Sequence, residues 1–270
     1  MRTEYTALIR TFNSETLLKE TLESLRSQTH PPKSYVFVDS GSTDGTRNML
    51  PEGGYFHAYR GDSFNYSEAI NQGLDFVAED HVLIISSHTT LANPLALDYA
   101  SRLLEQSEDC AAAYFDNGPL AELGEELITK RNFNGFNGLC NTCALIKMEW
   151  LAKRTFRREL FAAEDQEWAA WLLRDKGKAT LRVLGAGMSN TRNPYMLGYV
   201  GKKYINEQVA VAYFVERRLL SPWHVARVLS RAVNPLRSRS GAERLTSLRL
   251  AASLVTCWFR KPDGASRYFR

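Results

Sequence analysis

The chain has 270 residues, enough for one large domain or a domain with an appendage, and its 44% apolar and 24% charged residues suit an ordinary core-forming protein. No basic start leads into an apolar stretch and no run of about 18 uninterrupted apolar residues occurs, which argues against a secreted or membrane-spanning chain. The net charge of +4 hides an asymmetry: residues 217–270 carry 12 basic and 2 acidic side chains, whereas the rest carries 22 basic and 28 acidic. A mildly acidic body with a strongly basic tail is suited to an anionic surface, membrane lipid ahead of nucleic acid.

In chain order, periodicity predicts a strand at 6–9, then a helix at 14–28 with Leu17, Leu18, Leu22 and Leu25 on one side. Ser14 is its expected N-cap and Pro31-Pro32 its stop. A strand at 35–38 follows, and beyond a glycine-rich turn come a strand at 55–59, a helix from 67 to about 78 and a buried strand at 81–85. Asn93-Pro94 is read as opening the next helix, with Asn93 as cap and Pro94 at its first position. After a strand at 110–115, residues 117–139 are rich in Gly and Asn and are expected to form a mobile or substrate-shaped loop.

Residues 144–146 return to the sheet and 164–173 read as a helix. The last ~65 residues read as helical throughout, with Trp223, Val225, Val228, Leu229 and Ala232 as one apolar set and Leu245, Leu248, Ala252, Val255 and Phe259 as another. Arginines beside both sets suit either a membrane interface or packing on the body or on a second subunit in a homo-oligomer. The β–α alternation predicts a Rossmann-like α/β domain with a mainly parallel sheet at 1–194, and the basic helical extension occupies 195–270. Four scattered cysteines do not make a disulfide framework, and Cys140 and Cys143 are read as packing groups with reduced, cytoplasmic thiols.

The most informative stretch is Val38-Asp39-Ser40-Gly41-Ser42-Thr43-Asp44-Gly45-Thr46. It ends an apolar strand with a carboxylate and a turn rich in Gly and capping residues, and ligands of open α/β sheets bind just past the carboxyl ends of strands.

Four segments, taken in order, resemble the inverting family 2 glycosyltransferases with the GT-A fold. They are Leu8-Ile9-Arg10-Thr11-Phe12-Asn13, with Arg10 where Pro is more usual; the Asp39 turn; Phe64-Asn65-Tyr66-Ser67-Glu68-Ala69-Ile70-Asn71-Gln72-Gly73-Leu74; and Glu164-Asp165-Gln166-Glu167-Trp168 followed by Gly177. The resemblance implies a nucleotide-diphosphate sugar as donor, held by Thr11, Asn13 and Asp39, and Asp165 as the base that deprotonates the acceptor hydroxyl. A positioned carboxylate in that role can contribute about 10²- to 10⁴-fold. Glu164 is the neighbouring alternative, although adjacent helical residues point about 100° apart and cannot share one role. The acceptor class is a lipid-linked or polysaccharide hydroxyl, and the basic tail would bring the enzyme to the cytoplasmic membrane face.

One departure concerns the metal. Where most of the family carries Asp-x-Asp to hold a divalent cation, this chain reads Ile85-Ser86-Ser87-His88. Two hydroxyls and an imidazole make a poor Mg²⁺ site, with His88 a candidate ligand for Mn²⁺ and Ser86 and His88 expected at the donor phosphates. Without a well-held metal the departing diphosphate needs cationic side chains. Arg10, Arg60, Arg192, Lys202 and Lys203 are the candidates, Arg192 favoured because Asn190-Thr191-Arg192-Asn193 follows a late strand. The competing expectation is a catalytically silent nucleotide-sugar binding or scaffold protein.

Overall fold

The computed structural model describes residues 3–191, 200–233 and 241–262. Up to the middle of the chain the order is β1 (Tyr5–Thr11), α1 (Glu15–Arg26), β2 (Ser34–Asp39), β3 (Tyr55–Ala58), α2 (Tyr66–Leu74), β4 (His81–Ser86), β5 (Thr89–Leu91), α3 (Ala96–Gln106) and β6 (Cys110–Phe115). Then come β7 (Leu120–Ile128), β8 (Cys143–Lys147), α4 (Met148–Lys153), α5 (Glu164–Asp175), β9 (Ala179–Ala186) and β10 (Met188–Asn190). Helices α6 (Val200–Ala210), α7 (Pro222–Val233) and α8 (Gly241–Thr256) complete it, with a π-helical turn at Val211–Val215.

Eight strands form one sheet in the order β3-β2-β1-β4-β8-β6-β9-β7, and β5 pairs with β10 as a small antiparallel ribbon. Four of the seven pairings in the large sheet are parallel, and β8 runs against both β4 and β6. Strand β4 is buried along its whole length because both faces are covered. Alternate residues sort cleanly between the two layers, as a period of two requires: Leu8, Val38, Val82 and Ile84 join the core under α2 and α5, whereas Ile9, Phe37, Leu83 and Ile85 join the core under α1 and α3.

The sheet order explains where a site can form. The carboxyl ends of β1, β2 and β4 reach one edge together, and because β8 is antiparallel its amino end, Cys143, pairs with Ile85 there. The chain entering β8 therefore arrives where the strands leave. Helix α2 lies close against this region because Gly73 has no side chain: a Cβ there would sit 2.6 Å from Val38 Cγ2 and 2.7 Å from Leu8 Cδ1.

Three local expectations are corrected. Residues 117–139 are not one loop, since β7 pairs antiparallel with β9 at the sheet edge. Its pattern Leu-Ala-Glu-Leu-Gly-Glu-Glu-Leu-Ile is mostly exposed, so it lacks the apolar signal of a buried strand, and its glutamates protect the edge from pairing with other chains. The Asn-rich remainder is tied rather than loose: Asn132 Oδ1 accepts from Thr129 N (2.8 Å), Asn134 Oδ1 from Phe136 N (2.8 Å) and Asn137 Oδ1 from Asn134 N (2.9 Å).

Helix α3 starts two residues later than the Asn93-Pro94 signal indicates, because Asn93 Oδ1 closes a local turn on Leu95 N (3.0 Å) and Leu95 takes the N-cap position. Ser14 does stand at the N-cap of α1, but its hydroxyl makes no cap bond there. Asp44 Oδ2 accepts from Glu15 N (3.1 Å) instead, while Ser14 Oγ meets Ser87 Oγ at 2.7 Å.

The start of the helical extension belongs to the core. Val209, Ala210, Val211, Ala212 and Val215 are buried with Trp168 and Leu172 of α5, and Arg174 Nη1 donates to Val215 O (2.7 Å). Among the described residues no helix is long and apolar enough to cross a membrane.

Candidate active site

Two structures meet at the carboxyl edge of the sheet, a knotted turn and a cavity. In the turn, Asp39 is 5% exposed and its carboxylate accepts four hydrogen bonds, from Thr11 Oγ1 (2.8 Å), Gly41 N (3.0 Å), Ser42 N (2.8 Å) and Ser42 Oγ (2.5 Å). Those four donors fill its acceptor capacity. A ligand hydroxyl would reach this carboxylate only by replacing one of them. Gly41 (φ +91°) allows the doubling back, and Asn13, itself at φ 44°, accepts from Thr43 N (2.8 Å) and donates its own N–H to Ser42 Oγ (2.8 Å). Thus the loop after β1 and the turn after β2 are fastened to each other before any ligand arrives.

The cavity, about 590 Å³, lies alongside and contains Arg10, Ser86, His88 and Asp165. Thr11, Asn13 and Asp39 adjoin it without lining it. Lys203 of α6 lines it as well, whereas Arg60 and Lys202 do not, and Arg192 lies outside the described residues. The sequence reading missed Asn141 and Glu207, two further lining groups. Asn141 sits between Cys140 and Cys143, whose sulfurs are read as packing groups, and nothing about Glu207 in the helical extension marks it.

Helix α5 begins at the cavity. Ala163 at φ 56° turns the chain sharply, and the next three residues each grip the segment that enters β8. Glu164 Oε1 accepts from Asn141 Nδ2 (3.4 Å), Asp165 Oδ2 accepts from Asn141 N (3.1 Å), and Gln166 Oε1 accepts from Gly138 N (2.9 Å) while its Nε2 donates to Leu139 O. Asp165 Oδ1 also accepts from Gln166 N at 2.8 Å.

Burial pushes the Asp165 carboxyl up to about 7, the negative charge of Glu164 adds to this, and the Asn141 and Gln166 N–H groups oppose it. Burial likewise raises Glu207, against the pull of Lys203, whose Nζ is 3.7 Å from Glu207 Oε1. His88 moves the other way: burial, then the charges of Arg10 and Lys203, bring its imidazole down to about 4, so it is neutral at physiological pH.

Arg10 is the charged centre of the cavity floor. Its Nη2 donates to Asn141 O (3.0 Å) and Ser86 Oγ (3.2 Å), its Nη1 lies 3.9 Å from Glu164 Oε1, and its guanidinium carbon is 5.4 Å from the centre of the Tyr66 ring. A divalent metal does not fit this donor set. Ser86 Oγ is taken by a guanidinium, Ser87 Oγ by Ser14, and two cations flank the one imidazole. Among the described residues no three His, Cys, Asp or Glu side chains converge to hold an ion.

The family model described as glycosyl transferase family 2 matches residues 6–163. The chain belongs to that family. The match spans β1 through the residue before α5, so Glu164 and Asp165 fall just beyond it. No curated protein matches the sequence.

Among solved structures this family 2 chain resembles the mannosyltransferase PcManGT of Pyrobaculum calidifontis, solved in complex with GDP-Man and Mn²⁺, at 17% identity and a TM-score of 0.62 over 97% of this chain and 89% of that one. TarS 1-349 of S. aureus, in complex with UDP-GlcNAc, also gives 17% identity and a TM-score of 0.62, over 94% of this chain and 81% of that one. A mycobacterial protein follows at 13% identity and a TM-score of 0.57, over 81% and 74%. At such identities the likeness establishes the fold, the GT-A arrangement of a central sheet flanked by helices.

Proposed function

We propose that this protein is an inverting glycosyltransferase that moves a hexosyl or deoxyhexosyl group from a nucleotide-diphosphate donor to a hydroxyl of a lipid-linked or polysaccharide acceptor in surface-glycan synthesis. The observation that carries the reading is Asp165: a carboxyl with raised affinity for a proton, in a cavity that also holds two cations, beside a turn at the sheet's carboxyl edge. The GDP-Man and UDP-GlcNAc complexes of the similar structures support the donor class.

In a single displacement the acceptor oxygen attacks the anomeric carbon as its proton passes to Asp165. The bond from that carbon to the β-phosphate oxygen breaks, and its electron pair leaves with the nucleoside diphosphate. The Thr11–Asn13–Asp39 turn forms the nucleoside end of the cleft, and Ser86, His88 and Arg10 the phosphate end. Phe136 and Tyr204, both more than a third exposed and lining the cavity, offer ring faces for the acceptor sugar.

The test is donor turnover with a panel of nucleotide sugars and detergent-solubilised acceptors. The parent is expected to release nucleoside diphosphate with product of inverted configuration, and Asp165→Asn to lose turnover while still binding donor. If the parent turns over none and both proteins bind donor alike, the silent binding or scaffold protein stands instead, the reading that the lost Asp-x-Asp favours. A place at the cytoplasmic face of the membrane is supported by Trp223 (82% exposed) and Phe259 (83% exposed) in the arginine-rich extension. We keep residues 1–194 as the transferase unit and 195–270 as the extension that would bring it to that surface.

A further inference from the structure

We propose that Arg10, assisted by Lys203, holds the donor diphosphate directly, so that this enzyme binds and releases nucleoside diphosphate without a divalent cation. The inference rests on the glycosyltransferase reading above and goes beyond it by naming what faces the leaving group.

Strands β1 and β4 are parallel neighbours with Arg10 in register with Ser86. The guanidinium therefore emerges beside the end of β4, against the Ser86 hydroxyl that would otherwise face a ligand's phosphates. It is held there from three sides, by Ser86, by Asn141 O and by the Tyr66 ring, with its side chain only 12% exposed. Positioning of this kind removes the ordering cost from the binding step.

Its charge is incompletely answered inside the protein. The nearest carboxylate oxygen, on Glu164, is 3.9 Å away, and the buried Nε–H has no acceptor among the described residues. A buried donor left without a partner costs stability, which an arginine serving only as a structural tie would be expected to avoid. A second cation, Lys203, lines the same cavity from α6, and the fields of both reach His88.

The same two charges that repel a metal ion would attract a diphosphate. Arg10 Nη1, which makes no hydrogen bond among the described residues, presents its N–H donors to phosphate oxygens, and in a site shielded from water such donors stabilise the charge that develops on the departing oxygen. Atom balance is unchanged from the displacement above, since the electron pair of the broken bond stays on the β-phosphate oxygen. The cation that meets it is covalently part of the chain.

Calorimetric titration of UDP, GDP, UMP and GMP, each in EDTA and in Mn²⁺, tests this on the full-length protein. At least one diphosphate is expected to bind with a Kd that differs less than about twofold between the two conditions. Arg10→Gln should weaken that diphosphate at least about tenfold while leaving the matching monophosphate nearly unchanged, and Arg10→Lys should recover part of the loss. Lys203→Gln, at an exposed position, should lower the same diphosphate-to-monophosphate preference by about threefold and serves if Arg10 variants fail to fold.

Binding that requires Mn²⁺, or an Arg10→Gln variant that weakens mono- and diphosphate equally, overturns the proposal and leaves Arg10 as a structural tie. If neither diphosphate binds in either condition, the donor reading of the cleft falls with it.

Discussion

In the proposed reaction Asp165 is the base, and the burial that suits it to that role acts at the expense of stability. Its carboxyl is raised to about 7 by burial and by Glu164, so the folded protein keeps a proton that the unfolded chain, with an ordinary Asp near 4, has already released. The favourable contribution of that proton is fully present below about pH 4 and is lost as pH rises through about 7. Asp165→Asn is therefore expected to raise the melting temperature relative to the parent more at pH 8 than at pH 4, and to lower turnover by about 10²- to 10⁴-fold; paired thermal melts and initial rates check both. Because the base must be unprotonated, kcat/KM should climb with pH through about 7. His88, brought from 6.5 down to about 4, stays neutral over that range, and the stability tied to its neutral form is present above about 6.5 and lost progressively as pH falls through about 4. His88→Asn should consequently leave the position of the ascending limb near pH 7 in place, whereas a limb that moves would assign the titration to the imidazole. Of the residues at this scale, Arg10, Ser86, His88 and Asp165 were legible because they stand at strand ends or a helix start, where periodicity stops abruptly. Glu207 and Asn141 were not, since a lone Glu or Asn at such positions has many uses and only spatial neighbours choose between them.

At the scale of elements, the segments that could be read were those that bury one or both faces. Strand β4 and helix α5 show unbroken apolar runs or a helical stripe, so their existence follows from composition and period. Edge strand β7 buries little, and its Glu122, Gly124, Glu125 and Glu126 look like a loop until β9 supplies the hydrogen-bonding partner. Helix starts were similarly ambiguous, because the same Asn that can cap a helix can also close a turn before it, as Asn93 does. Asn65 is the contrasting case, a true cap of α2: its Oδ1 accepts from Glu68 N (3.0 Å) while its Nδ2 donates to Arg158 O (3.0 Å) and Leu160 O (3.1 Å). Asn65→Ala should cost about 1–2 kcal/mol from the cap and more from the two carbonyls it orphans, seen as a lower denaturation midpoint in urea. Gly73→Ala tests the approach of α2 to the sheet; the contacts at 2.6 and 2.7 Å are with side-chain atoms of Val38 and Leu8, and overpacking of that kind typically costs about 1–3 kcal/mol.

For the whole molecule, the division of charge bears on the proposed contact with a membrane surface. The extension shares the main core through Val209–Val215 positions and α5, yet α7 leaves Trp223 and Val233, and the turn after α8 leaves Phe259, largely exposed among arginines. Co-sedimentation with vesicles is expected to require anionic lipid, to weaken with added salt as a Debye length of about 10 Å at 0.1 M implies, and to fall when Trp223 and Phe259 are replaced by Ser. Equal binding to neutral vesicles, or none, would direct attention to packing between copies of the chain. The sequence by itself determined the α/β class, the family, the Asp39 turn and the loss of the usual metal carboxylates, because each is written in local period or in contiguous residue types. It took the tertiary structure to show that Asp39 is fully engaged by its own turn and by Thr11, that Asn141 N donates to Asp165 beside the cavity, and that Arg10 lies against Ser86 at the end of β4. Those outcomes depend on strand register and on the antiparallel run of β8, which bring together residues more than a hundred positions apart, and a free energy shared among such distant partners leaves no mark on any one stretch of sequence.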